Sequence, residues 1–423
     1  MMNKYKMTIT LKSPICIARK RGTGNVIETL DYIPGSTIRG ALAMLYMKLH
    51  GDYCTKNNTW WLPNPSKQEE FKLIFNSENT RFGNCYPEGA KVIPFTASSC
   101  KYHSGFAPIT DDQHGVLDTL TGIAKYESLA NSSPDYEILK KYEKCEECNS
   151  VMDRFGGYYR KKGRDYELVR VSKRLIAHTA IMESLEIARP ESLYTLEVLN
   201  EKKREGKIFK PQKFIGEFET DDAFDSLKNL LEQNNIIYIG SAKSRALGEV
   251  EVELEDDNEQ NSERSMSDRL NELNEELESL GRYFFSVTLH SDVILRDEIL
   301  RFKSTLDTCD LIETLENLSN SLCSDDIGMF KQIISSFQHH RNWLVTYLVT
   351  GWNTALKLPK EDEVTIPKGS VFLFSTEKSL TDEQKDNLKR MLCLIEQAGV
   401  GERRNEGFGK IRVCDEFHLE EYK

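Results

Sequence analysis

The strongest restriction on how this chain folds is a pattern that occurs twice. IGSAKSRALGEVEV, from Ile239, and VGERRNEGFGKIRV, from Val400, align without a gap. Gly240 matches Gly401, Lys243 matches Arg404, Ala246 matches Gly407, Leu247 matches Phe408, Gly248 matches Gly409, and the alternating Val250 and Val252 match Ile411 and Val413. A helix-like segment precedes each copy, DDAFDSLKNLLEQN from Asp221 and LTDEQKDNLKRMLCLIEQ from Leu380, and a strand-like segment precedes each helix, KFIGEFE from Lys213 and SVFLFS from Ser370. The repeated order of strand, helix, basic glycine loop and strand is the second half of a β-α-β-β-α-β ferredoxin-like (RRM-like) unit.

A first half is legible at the N-terminus, where MTITLKSPICI reads as a strand and PGSTIRGALAMLYMKL as a helix. Ser36 is its expected N-cap, and Ala41, Leu42, Leu45 and Leu49 form its apolar stripe. RYFFSVTLHS, from Arg282, reads as the first strand of a second unit, and helix is expected over 297–345. The predicted class is α+β: two ferredoxin-like domains in tandem, 1–255 and 281–423, with an insertion at about 50–165 in the first and an acidic linker or helix at 256–280 between them.

The formal net charge of -11 comes from that linker, because thirteen Asp and Glu stand against two Arg between Glu249 and Leu280, and the rest of the chain is balanced. DRLNELNEELESL places Leu270, Leu273, Leu277 and Leu280 on one helical side. No apolar run approaches the roughly 18 residues of a membrane span, and the N-terminus alternates like a strand rather than a signal peptide, so a cytoplasmic protein without membrane contact is expected. Ten cysteines in 423 residues are too sparse for a disulfide scaffold and point to burial or metal ligation.

Glycine lets a backbone approach a ligand closely and turn its amides toward an anion. Around Gly240, Gly401, Gly407 and Gly409 stand Lys243, Arg245, Arg403 and Arg404, with Phe408 as a stacking surface, a combination suited to single-stranded RNA. Neither loop is a GxxxxGK[ST] or a strand-GxGxxG-helix motif, which argues against a nucleotide site. In IPGSTIRGALA, Ser36 and Arg39 lie at a helix start that can take a phosphate. RFGGYYRKKGR (Arg154 to Arg164) and VRVSKR, with Arg170, Lys173 and Arg174, interleave aromatic and basic residues in the same sense. Cys145-x2-Cys148 has knuckle spacing, and Cys100 with either His103 or His114 completes a four-ligand zinc site; spacing alone favours His103.

Ile33–Ala43, HTAIMESLEIARPESLYTLEVL (His178–Leu199) and GVGERRNEGFGKI resemble the RAMP superfamily of CRISPR-associated proteins. FGNCYP at Phe82, the Cys100 region, CEEC at Cys145 and GWNTALKLPK at Gly351 are closer still to the Cas-five-like, two-unit subunit of type III-D complexes, the Csx-ten family. The resemblance implies an RNA-binding subunit that grips the 5′ repeat-derived handle of the CRISPR RNA. It implies contact with other RAMP subunits and the large polymerase-like subunit, and only indirect contact with target RNA. It selects His114 as the partner of Cys100, Cys145 and Cys148 in a structural zinc site, and RNA contact for Ser36 and Arg39.

No catalytic centre is expected. Related RAMP proteins cut RNA with a histidine base or with an aspartate before the IPGS-like turn, where this sequence offers only Glu28 and Asp31, close to the helix. His50, His178, His290 and His339 have no partner that the sequence identifies. A repeat-processing ribonuclease and a zinc-stapled scaffold that touches only proteins are the competing readings.

Overall fold

The computed structural model describes residues 2–422 other than 20–24, 57–58, 107–111, 130–135, 164, 180, 183–186, 189–191, 257–263, 319–323, 354–357 and 421. Arg164, residues 257–263 of the acidic run, residues 20–24 ahead of the IPGS turn, and parts of the stretches from His178 and from Gly351 therefore lie outside the described residues. It is a mixed α/β fold built on antiparallel sheets around two large cores.

The first sheet starts from β1 (Asn3–Leu11), whose alternation puts Met7, Ile9 and Leu11 into the core. It is followed by α1 (Gly35–His50), α2 (Pro65–Phe75), β2 (Thr80–Phe82), β3 (Lys213–Thr220), α3 (Phe224–Gln233), β4 (Ile236–Tyr238) and β5 (Glu249–Asp256). The strand order is β4-β5-β1-β3-β2, with Tyr86–Pro87 also pairing β3. Ile38, Leu42 and Leu45 of α1 and Leu227, Leu230 and Leu231 of α3 close this core. Of the stripe expected for α1, Leu42 and Leu45 are buried, Ala41 is partly buried and Leu49 is 43% exposed, and the start of the helix also differs. Pro34 occupies the N-cap position, Ser36 makes no cap, and Asn84 Oδ1 accepts the Gly35 amide at 2.9 Å from another segment.

The second sheet follows α4 (Met266–Glu276): β6 (Tyr283–Leu289), α5 (Thr308–Glu316), α6 (Ser324–Ile334), β7 (Gln338–Trp343), β8 (Val371–Thr376), α7 (Asp382–Ala398) and β9 (Ile411–Val413), in the order β7-β8-β6-β9. Successive residues Phe284 to Leu289 are all buried, so β6 is covered on both faces. The stretch 297–345, expected to be helical, also holds β7; its sequence QHHRNW lacks apolar alternation because it is an edge strand, where polar and cationic side chains suit the exposed side. The leucine-bearing helix α4 is no free linker. Leu270, Leu273 and Leu277 are fully buried in the second core, and Arg269, only 1% exposed, donates to both carboxylate oxygens of Glu396 at 2.9 and 2.8 Å.

Described residues between 91 and 169 pack onto the second core and the C-terminal segment, while Val92, Tyr158 and Val169 cluster with Tyr32. Leu120 and Ala124 enter the second core, while Phe106, Phe155, Tyr159 and Tyr166 form an aromatic cluster with Phe417 and Tyr422 of the C-terminus. The buried His418 bonds Asp118 Oδ2 at 2.7 Å and Thr288 Oγ1 at 2.9 Å. Burial alone would lower the His418 pKa, but the adjacent Asp118 carboxylate outweighs it and raises it.

Between the sheets, Lys410 Nζ lies 2.6 Å from Glu217 Oε1. The ammonium of Lys410, assisted by Lys4, holds Glu217 down from the ordinary 4.5 to about 2 against the opposing effect of burial. A depressed carboxylate contributes stability that is complete above its unfolded pKa and disappears as pH falls through its folded one. The Glu217 contribution is therefore expected at pH 6 and lost on acidification from 4.5 toward about 2. Denaturant titrations of the native chain and of Glu217→Gln check this: the variant should show a shallower loss of stability across that window, and identical slopes would refute the assignment.

Candidate nucleic-acid interface and metal centre

The two glycine loops are superposable in their hydrogen bonds. Ile239 N–H donates to Gly248 O at 2.8 Å and Val400 N–H to Gly409 O at 2.9 Å. Ser241 N–H reaches Cys16 O at 2.8 Å, as Glu402 N–H reaches Ile294 O at 3.0 Å; Gly248 N–H reaches Pro14 O, as Gly409 N–H reaches Asp292 O, both at 2.9 Å. Each loop is thus locked to the segment that leaves the first strand of its own sheet. A Cβ on Gly240 would lie 2.3 Å from Cys16 O, and one on Gly401 2.4 Å from Ile294 O. These glycines permit close approach of chain to chain, so the amides expected to face an anion are instead largely committed within the fold. A single 3-10 turn fills each loop, flanked by left-handed residues: Ala242 and Ala246 at φ 57 and 59, Arg403 and Gly407 at φ 54 and 90. Ala246 adopts the conformation that glycine would take more readily.

The surroundings of the two turns differ. In the first, Lys243, Ser244 and Arg245 are exposed, and neither cation has a carboxylate partner among the described residues. Arg245 lies over the Tyr194 ring, 5.5 Å from its centroid, and Tyr194 in turn stacks on His178 at 5.2 Å.

The second turn is wedged against the start of α1. Glu406 Oε1 lies 3.3 Å from Arg39 Nη1, and its Oε2 lies 2.5 Å from Arg403 Nη2 and 3.0 Å from Lys360 Nζ. Arg403 also pairs with Glu363 and lies over Phe408, while Arg404 donates to Ala398 O at 3.3 Å, a cation at the C-terminus of α7. Burial would raise the Glu406 pKa, yet Arg403 and Lys360 hold it below the usual carboxylate range. Gly407 has Phe82 O and Asn84 Oδ1 each 2.8 Å from where a Cβ would sit, and Gly35 faces Phe82 O. At the helix start where a phosphate was expected beside Ser36 and Arg39, the chain places its own carboxylate. Glu406 was visible in the RRNEG sequence three residues after Arg403, but its reach to α1 was not.

Of the remaining residues expected to touch RNA, Arg170 is exposed, Arg174 is half-committed to Glu201 at 3.5 Å, and Lys173 is held by Asp31, Glu197 and Thr29 O. Tyr194 and Asn84 were missed because no local motif marks a residue whose partner is distant in sequence.

Cys100, at the end of the strand Ala97–Cys100, meets Cys145, Cys148 and His114 in one cluster. Their donor atoms all lie within 4.8 Å of one another, with 3.6 Å between the Cys100 and Cys148 sulfurs and 3.2 Å from His114 Nδ1 to Cys145 Sγ. Bonds of about 2.3 Å in a tetrahedron require donor separations of about 3.7 Å, so four donors of this kind can hold a metal ion with no open position. His103, the competing ligand by spacing, stacks flat on His114 at 4.2 Å and bonds Asp112 O instead. Asn149, at φ 58, closes the turn that brings Cys145 and Cys148 together. The Ser150 hydroxyl and amide lower Cys148 to about 6, whereas burial raises Cys145.

Elemental analysis of the purified chain is expected to find about one metal ion per polypeptide, and Cys145→Ser should lose it. Chelation should lower the melting temperature of the native chain and leave that of the variant unchanged, since a closed metal site contributes directly to folding.

A model of the RAMP superfamily matches residues 8–251, more than half of the chain. No curated protein matches it in sequence. Similar solved chains include one in type III-B Cmr-beta bound to cognate target RNA, 13% identical with a TM-score of 0.36, covering 92% of this chain and 94% of that one. Another is Thermus thermophilus Cas6, 11% identical with a TM-score of 0.29, covering 78% and 98% respectively. The family match spans the first glycine loop, α1 and the metal-binding residues together: the chain belongs to the RAMP superfamily.

Proposed function

We propose that this chain is a non-catalytic RNA-binding subunit of a cytoplasmic type III CRISPR effector complex. It grips the 5′ repeat-derived handle of the CRISPR RNA, adjoins other RAMP subunits and the large polymerase-like subunit, and meets target RNA indirectly. Its architecture is two ferredoxin-like units, 1–255 and 281–423, with the acidic segment 256–280 between them. Supporting this, each sheet has its first strand central, flanked by the last strand and by the strand that precedes the second helix. The insertion at about 50–165 is stapled by zinc, the ion best suited to three thiolates and one imidazole in a closed tetrahedral set.

One observation carries the reading. The first glycine loop presents Lys243 and Arg245 to solvent, beside Tyr194, with no carboxylate partner among the described residues, whereas in the matching loop Arg403 is neutralised by Glu363 and Glu406 and Arg404 is held on Ala398 O at the end of α7. RNA contact is accordingly assigned to Lys243, Arg245, Arg170 and Arg174, and Arg39, Lys173, Arg403 and Arg404 chiefly hold these loops in place.

His178 favours a second reading, a metal-independent repeat-processing ribonuclease. Its Nε2 is buried without a partner among the described residues, and it stacks on Tyr194 beside the exposed arginine. A discrete product from repeat RNA, abolished by His178→Ala, would install that reading in place of the first.

Lys243→Glu with Arg245→Glu is expected to weaken handle RNA binding by about tenfold and to flatten the log-log salt dependence by about 1.4, near 0.7 for each phosphate no longer neutralised. Glu406→Ala should instead lower stability by about 3 kcal/mol, because it strands partly buried cations. Unchanged RNA affinity in the double charge reversal would refute the proposed grip.

A further inference from the structure

Beyond the strand Tyr194–Leu199 a two-stranded hairpin projects, Lys202–Glu205 paired with Ile208–Pro211, its turn made by Gly206 at φ 60 and Lys207. Its base is rigid. Gln212, buried, accepts the Ser172 amide at 2.7 Å and donates to Ser172 O and Asn200 O, so the arm leaves the sheet in a fixed direction.

Beyond that base, almost every residue is exposed, and the side chains sort by face. Directly opposed residues share a face: Lys202 with Pro211 and Arg204 with Phe209 on one, Lys203 with Lys210 and Glu205 with Ile208 on the other. The one acid of the arm, Glu205, is neutralised on the second face by Lys210 at 2.8 Å. The first face is left with an exposed aromatic beside two cations. Phe209 is 65% exposed and stacks on no ring among the described residues, and Lys202 and Arg204 have no carboxylate partner there. Arg204 spends one nitrogen on Gly206 O at 3.0 Å, which orients the rest of the guanidinium. A single exposed apolar side chain is ordinary, but an exposed ring flanked by cations that have no carboxylate partner among the described residues suits a polyanion that carries flat apolar surfaces.

We propose that this hairpin is a second contact for single-stranded RNA, in which a base stacks on Phe209 while Lys202 and Arg204 hold the adjoining phosphates. The inference rests on the RNA-binding reading and extends it to a separate element. The strand Tyr194–Leu199, about 17 Å long at 3.3 Å per residue, joins this arm to the ring under Arg245, so one strand of RNA can span both.

The test uses the full chain and a fluorescein-labelled single-stranded RNA with a repeat-derived 5′ end, followed by anisotropy. Phe209→Ala is expected to weaken binding about tenfold, and Phe209→Trp to retain it. Lys202→Glu with Arg204→Glu should reduce the salt slope by about 1.4. All of these positions are exposed, so melting temperatures should match the native chain, and ultraviolet crosslinking should place RNA on the peptide containing Phe209. If Phe209→Ala and the double reversal bind like the native chain while Lys243→Glu with Arg245→Glu does not, the hairpin assignment falls and the grip at the first loop stands. If the native chain itself binds no RNA, both fall.

Discussion

The two halves of this protein depend on one carboxylate. Glu406 sits where three cations from three separate segments converge, Arg39 of α1, Arg403 of its own turn and Lys360. A carboxylate held between partly buried cations tolerates little displacement, because moving it strands charges that water does not fully solvate. Through it the second glycine loop is fixed to the start of α1, and Asn84 completes the contact by taking the Gly35 amide. Lys410 on Glu217 and Arg81 on Gln397 O extend the same seam. A buried polar centre adds to it: Asp292 accepts from Tyr32, Tyr347 and the Lys368 amide, with the Lys368 ammonium 3.5 Å from the Tyr32 ring centroid.

The two loops share one hydrogen-bond scheme and hence one local geometry, and their side chains set them apart. In the aligned turns arginine at 245 is replaced by glutamate at 406, and alanine at 242 by arginine at 403. The glutamate lets the second turn pair with Arg39, Arg403 and Lys360 and dock, while Lys243 and Arg245 of the first have no carboxylate partner among the described residues. The aromatic group around Tyr422 plays a comparable part for the segment that carries Phe106, Phe155, Tyr159 and Tyr166, which packs onto the C-terminal segment there and through His418 and Asp118.

What the residue pattern revealed was what depends on neighbours. The strand, helix and loop order around each glycine loop, the inward alternation of β1 and the leucine face of α4 all follow from periods of two and 3.6, and all are present. What failed depends on distance. Ser36 looked like a cap because it precedes an apolar helix, but Pro34 holds the N-cap position and Asn84, on another segment, takes the first helical amide. The polar edge strand β7 gave no alternation to detect. Spacing favoured His103 as a metal ligand, whereas the chain turn at His114 brings that ring to Cys145 and leaves His103 stacked outside it.

Cations show the same limit most sharply. From sequence, Arg245, Arg403 and Arg404 are members of matching basic loops, with the second loop favoured for RNA because Ala246 stands where the first would have glycine, but a positive side chain attracts a distant polyanion only to the extent that its field is not already cancelled nearby. Arg403 between Glu363 and Glu406 is a dipole to anything beyond it, while Arg245 over an aromatic face keeps its full charge. Lys202 and Arg204 keep theirs because Glu205 points to the other side of the hairpin, an outcome of strand register that no count of charges contains. For a chain whose net charge is -11, binding a polyanion is therefore a question of which few cations the fold declines to pair, and of whether those cations lie on one path.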